Sequence, residues 1–189
     1  MSRIIAGQCG SLTLAHVPGN KTRPTTDRVK ESLFSRLEGY EVLSQGRVLD
    51  LFGGSGALGC ESLSRGARHV DFVDSSSTAI ATIRENVARV SQGLNSAAST
   101  MIYTSDAQRF LERYQGEPWD VVFVDPPYDM PNEQVHTLLS LIKEHLSDDA
   151  VVVVERSSRM EPVEVPAGLE EFRQKKYGET ILYYVQLVS

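Results

Sequence analysis

From Gln45 to Glu155 short β-rich runs alternate with stretches of helical periodicity, and this alternation restricts the fold more than any other feature of the chain. Arg47–Phe52, His69–Asp74, Met101–Tyr103, Val121–Val124 and Val151–Glu155 read as strands. Between them Ala57–Arg65, Ser77–Val90, Ala107–Tyr114 and Val135–His145 read as helices; in the second, Ile80, Ile83, Val87 and Val90 share one face. Strands separated by a helix-length crossover must run parallel, so the chain is of the α/β class. Leu169–Lys176 and Thr180–Leu187 are joined by Tyr177-Gly178-Glu179 and predict an antiparallel pair at the sheet edge. In such a sheet ligands bind at the carboxyl ends of the strands, where the side chains that carry chemistry are to be sought.

The 189 residues, 41% of them hydrophobic, suffice for one sizeable core and are short for two. We expect an N-terminal extension over 1–40 and a main domain over 41–189. In the extension, Arg3–Ala6 and Leu12–Ala15 read as a hairpin, and Val17–Pro24 as a polar loop. Thr25 or Thr26 then caps a helix with apolar positions Val29, Leu33, Phe34 and Leu37. The net charge of −6 argues against nucleic acid as a partner, but its distribution argues for it: residues 1–36 carry +4 and the remainder −10. The sequence shows no apolar run long enough to span a membrane and no signal peptide, which predicts a soluble, cytoplasmic protein. Cys9 and Cys60 lie far apart with no ligand-spaced partners, predicting neither a disulfide framework nor a metal site.

Gly54-Ser55-Gly56-Ala57-Leu58-Gly59 matches the dinucleotide-binding pattern, with the acidic Asp74 following at the end of the next strand. Asp50 speaks against a dinucleotide. It ends the first strand, where its carboxylate faces the crevice that a pyrophosphate would fill, and two anions in a poorly solvated crevice repel. The same carboxylate suits a cation. S-adenosylmethionine carries an ammonium and a sulfonium and no phosphate, so it fits better than a nicotinamide cofactor. Asp74 then serves as acceptor for the ribose hydroxyls, and Asp106 reads equally as an adenine contact or as a helix cap. With them, Phe52, Gly53, Gly54, Gly56, Ser75 and Ala107 are the candidate cofactor residues.

The fourth strand ends in Asp125-Pro126-Pro127-Tyr128. Two prolines cannot continue a ladder, so they hold the chain stiffly out of the sheet with Asp125 and the Pro126 carbonyl at the crevice. An exocyclic amino group on a purine is a poor nucleophile because its lone pair is delocalised into the ring. Two fixed acceptors for its N–H bonds favour the partly positive nitrogen of the transition state, and Tyr128 offers a face on which an unstacked base can lie. His16, His69, His136 and His145 form no constellation and read as surface or packing residues. Trp119 reads as a core anchor, while Arg156 and Arg159 read either as RNA-bordering or as plain surface residues.

Asp50-Leu51-Phe52-Gly53-Gly54-Ser55-Gly56 with Asp125-Pro126-Pro127-Tyr128 resembles the class I, Rossmann-like methyltransferases of base amino groups. Thr22-Arg23-Pro24-Thr25-Thr26-Asp27-Arg28-Val29-Lys30-Glu31-Ser32-Leu33-Phe34 is more specific and resembles the RsmD-like family, bacterial small-subunit (16S) ribosomal RNA guanine-N2 methyltransferases. The resemblance runs from Arg3 to Lys176-Tyr177-Gly178-Glu179-Thr180. It implies a seven-stranded, mostly parallel sheet with an antiparallel C-terminal strand, and a small hairpin and helix extension at the N-terminus. It also implies S-adenosylmethionine as cofactor, ribosomal RNA within the assembled small subunit as partner, and a monomer. By position it places Arg23, Pro24 and Thr25 at the cofactor and target-base pocket, and Arg28 and Lys30 against RNA. Two other activities use parts of this pattern: adenine-N6 methylation of DNA or RNA, which employs the same tetrapeptide, and a nucleotide-binding oxidoreductase. A non-catalytic RNA-binding assembly factor is a further reading.

Overall fold

Five strands of the predicted alternation lie side by side and parallel in the computed structural model, which describes residues 2–19 and 25–189. They are β3 (Arg47–Asp50), β4 (His69–Asp74), β5 (Ser99–Thr104), β6 (Trp119–Val124) and β7 (Leu146–Ser157). Two C-terminal strands, β8 (Leu169–Tyr177) and β9 (Thr180–Leu187), complete a seven-stranded sheet of order β5-β4-β3-β6-β7-β9-β8. The order reverses at β3, and the crevice between β3 and β6 is therefore the switch point at which ligands bind in such sheets. The C-terminal strand β9 runs antiparallel between β7 and β8, leaving β8 with its mostly exposed, charged residues as the edge.

The helices fall on both faces of the sheet. α1 (Asp27–Gly39), α2 (Ala57–Ser64) and α3 (Ser77–Gly93) pack on the face that buries Val48, Phe72, Phe123, Val153 and Tyr184. α4 (Ala107–Arg113) and α5 (Asn132–Lys143) pack on the other, over Leu49, Val73, Val122, Val124 and Val152. Alternation along each strand sends successive residues to opposite clusters, as the strand period requires. Thr26 caps α1 by accepting from the Val29 amide. Leu33, Phe34 and Leu37 then enter the shared core, with the Phe34 ring 5.6 Å from that of Phe123.

A short hairpin, β1 (Ser2–Arg3) with β2 (Thr13–Leu14), lies against α2 and α3. Buried polar side chains tie it down. Glu61 of α2 accepts from the Ile5 and Ala6 amides and from Arg65, and Ser64 accepts from the Cys9 amide. Residues of 1–40 thus share one core with the sheet. Trp119 is the core anchor expected of it: fully buried, its indole N–H donates to Asp71 at 2.8 Å. His69 is a packing residue, held between Asp71 and Ser99, and both cysteines are buried and unpaired with each other. Among the described residues no helix is long and apolar enough to cross a membrane.

Candidate active site

The parallel register brings the strand-end acids together. Asp50 of β3 lies opposite Phe72 of β4 and Phe123 of β6, so Asp74 and Asp125 each stand two residues further on along the flanking strands. Asp74 in turn lies opposite Thr104, two residues before Asp106. The step is regular because the strands are parallel and end together at the crevice.

Asp50 is buried and accepts one hydrogen bond, from the Gly59 amide at 3.0 Å. Burial pushes its carboxyl up to about 7; the Gly59 N–H opposes that shift and Asp74 adds to it. The glycine loop between β3 and α2 bends beside it, with Gly54 and Gly56 at φ 57° and 79°, a region that L side chains rarely adopt. Open space lies where a side chain on Gly54 would project, whereas a Cβ on Gly53 would stand 2.8 Å from the Ile83 methyl. Asp74 locks the loop to β4 by accepting from the Gly54 amide at 2.9 Å and from the Ser76 amide at 2.8 Å. Phe52 is half-buried against the second core cluster, Ser75 is exposed and Ala107 buried. Asp106 takes the cap role: it accepts from the Arg109 amide at 3.1 Å at the start of α4 and is otherwise exposed.

Asp125 lies past the end of β6, where the chain leaves the ladder as the two prolines require. Pro126 is buried, Pro127 exposed, and Tyr128 stands 77% exposed, more than any other large apolar or aromatic residue among those described. The Met130 amide closes the turn onto the Pro127 carbonyl at 2.9 Å. Burial raises the Asp125 carboxyl well above the usual carboxylate range, helped by Glu155 and then Asp50. Glu155 is likewise raised by burial, with the hydroxyl of Thr25 hydrogen-bonded beside it and opposing the shift.

Two placements differ from expectation. Lys30, expected against RNA, is only 1% exposed: its ammonium donates to the Arg3 carbonyl at 2.6 Å and to Ser2, pinning the first strand to α1. Only the neighbouring Arg28 of the pair is exposed. Arg156, read as a surface or RNA-bordering residue, is 3% exposed and donates to the Met130 carbonyl at 2.6 Å and to Asn132 at 2.9 Å, bracing the loop that follows the tetrapeptide. Its neighbour Arg159 is exposed and pairs with Glu179. Arg23 and Pro24 lie outside the described residues; Thr25 is described, half-buried beside Glu155.

Two residues were missed. Asn86 is fully buried on α3; its amide donates to the Ala15 and Ser55 carbonyls and accepts from the Ala15 amide, tying hairpin, helix and glycine loop together. A polar residue among Ile83, Val87 and Val90 was the available signal. Glu155 was visible only as the acid ending a run of valines.

A family model described as Conserved hypothetical protein 95 matches residues 2–186. The chain belongs to the RsmD-like family. Members similar to it include YlbH of Bacillus subtilis, a candidate rRNA methyltransferase, 39% identical over 94% of this chain and 95% of YlbH. Ribosomal RNA small subunit methyltransferase D of Escherichia coli is 33% identical over 94% of this chain and 85% of its own length. The solved structure of yhhF, a candidate methyltransferase from Escherichia coli, superposes with a TM-score of 0.82 at 32% identity, covering 98% of this chain and 97% of that one. In this RsmD-like chain the acids of the crevice and the Asp-Pro-Pro-Tyr loop therefore sit on a Rossmann-like methyltransferase frame.

Proposed function

We propose that the protein transfers a methyl group from S-adenosylmethionine to the exocyclic N2 of a guanine in small-subunit ribosomal RNA. The observation that carries this reading is the Asp125 loop: a carboxyl and a proline-stiffened carbonyl at a sheet switch point, followed by an exposed aromatic ring. The names of the relatives, rRNA methyltransferases among them, support the substrate class.

The donor half suits S-adenosylmethionine. A buried Asp50 with a single amide partner has acceptor capacity left for an ammonium. Asp74 keeps lone pairs for ribose hydroxyls while its amide bonds hold the glycine loop open, and the space over Gly54 admits a ligand. Ser105 to Ala107 border the adenine. When bound, this cofactor supplies an electrophilic methyl group on sulfur. Asp125 and the Pro126 carbonyl accept the two amino hydrogens, so the nitrogen lone pair is directed outward and the charge it gains is met by fixed dipoles. The nitrogen gains the methyl and gives up a proton, which Asp125 can pass to solvent. Tyr128 stacks on the unpaired base, returning roughly 1–3 kcal/mol of the unstacking cost. Residues 1–40 form the RNA-facing side, with Arg28 meeting phosphate.

Transfer of labelled methyl to small ribosomal subunits lacking the modification, to protein-free ribosomal RNA and to DNA, with the product nucleoside identified by mass, tests the reading. N2-methylguanosine from the RNA substrates is the expected product; N6-methyladenine would replace the guanine reading with the adenine one.

A further inference from the structure

Glu155 has no part in the chemistry above, yet it lies on β7, the strand beside the one that Asp125 follows, and raises the Asp125 carboxyl more than Asp50 does. Val124 lies opposite Val154 in the parallel β6–β7 ladder, so 125 and 155 are lateral neighbours at the carboxyl ends of adjoining strands. Glu155 follows the strand alternation of Val151 and Val153 and so belongs to the α1 face, the face of the crevice, where Thr25 meets it. Its partner across β9 is Leu182, which offers no charge. Among the described residues no basic side chain pairs with either carboxyl, and no cluster of three or more ligating side chains is arranged for a metal ion. Two neighbouring half-buried carboxyls repel each other, and burial pushes each to hold its proton. N–H donors from a ligand would offset that repulsion.

The Watson–Crick edge of guanine presents such donors in a row: the N2 amino group and the adjacent N1–H. Adenine presents an amino group beside an N1 that is an acceptor. The geometry points to Glu155 as a specificity-determining residue that accepts the N1–H of the target guanine while Asp125 and the Pro126 carbonyl hold its N2 amino group. Guanine's N–H donors favour the ionised form of Glu155; adenine in the same pose brings an acceptor at N1 and gains no bond from that carboxylate form, which selects guanine without any change in the methyl-transfer apparatus. This assignment rests on the guanine-N2 reading and extends it to the residue that reads the base.

The test replaces the target guanine by 2-aminopurine, which keeps the N2 amino group but has an acceptor at N1. The methylated nucleotide is first located in ribosomal RNA by mass, and the analogue is introduced there by splinted ligation. The wild-type protein is expected to methylate guanine about 10- to 100-fold faster than 2-aminopurine, the discrimination of one hydrogen bond to a charged group. Glu155→Gln, whose amide can donate to the analogue's N1, should lose guanine activity by a similar factor and keep or gain activity on 2-aminopurine. Glu155→Asp keeps the charge and should retain the preference. A merely structural Glu155 predicts that Glu155→Gln slows both substrates equally; that result, or an unchanged ratio, overturns the assignment. If the wild type makes only N6-methyladenine, the guanine reading itself fails, and that outcome is read before any variant is made.

Discussion

The two halves of the crevice treat their carboxyls differently. On the side of β3, β4 and β5, backbone amides already bind each acid: Gly59 to Asp50, Gly54 and Ser76 to Asp74, Arg109 to Asp106. On the side of β6 and β7, Asp125 and Glu155 receive no backbone amide among the described residues, and the hydroxyl of Thr25 lies beside Glu155. Amides that fix carboxylates in advance make a rigid receptor for a ligand that is the same in every turnover. Carboxyls left short of donors gain most from a ligand that brings N–H groups, as a base edge does. The contrast supports the proposed division of the crevice, cofactor in the first half and acceptor base in the second.

Removing an acid from one half should therefore leave the other half working. The largest effect is expected for Asp125→Ala, with methyl transfer falling by about 10²–10³-fold, the scale of losing a transition-state hydrogen-bond partner, measured in single-turnover assays. Asp50→Asn should weaken S-adenosylmethionine by about 10–100-fold, the scale of one charge-assisted bond, read by calorimetry. The same titration tests proton linkage. In the free protein the Asp50 carboxyl holds its proton up to about pH 7, whereas unfolded aspartate releases it near ~4. Across that window this group makes the fold less stable as pH rises, and a bound ammonium reverses the preference. Cofactor affinity should rise from pH 6 to 8 with proton release, and Asp50→Asn should flatten the rise. Tyr128→Ala should cost roughly 1–3 kcal/mol in kcat/KM for RNA without moving cofactor affinity. Asn86→Ala removes the bonds between hairpin and glycine loop and should destabilise the fold by about 2 kcal/mol, seen as a lowered Tm, with a smaller loss of cofactor binding. Arg28→Ala is the mildest: the log–log salt dependence of RNA binding should lose a slope of about 1.

The positions of Asp50, Asp74 and Asp106 at the crevice were legible because the first two close strands beside a glycine loop or a helix start and the third caps the helix after β5. Asp125 was legible for the same reason, with two prolines marking the exit from the sheet. Glu155 was not. It ends a uniformly apolar run with no motif after it, and its significance arises only from the lateral register with Asp125, which a linear pattern does not contain. Lys30 and Arg156 show the opposite failure. A basic residue on a helix or at a strand end reads as solvated, but these two are buried and donate to the backbone carbonyls of Arg3 and Met130. The start of α5 at Asn132 rather than Val135 follows from Pro131, which stands at its N-cap. The edge position of β8 follows from β9 pairing directly with β7.

The division of the crevice is tested most directly by titrating S-adenosylmethionine calorimetrically into Asp125→Ala. The account predicts a Kd within about threefold of wild type, less than the ~1.4 kcal/mol of a tenfold change, in a protein whose methyl transfer has fallen by about 10²–10³-fold. A tenfold or greater loss of affinity would contradict it, because Asp125 would then belong to the cofactor half.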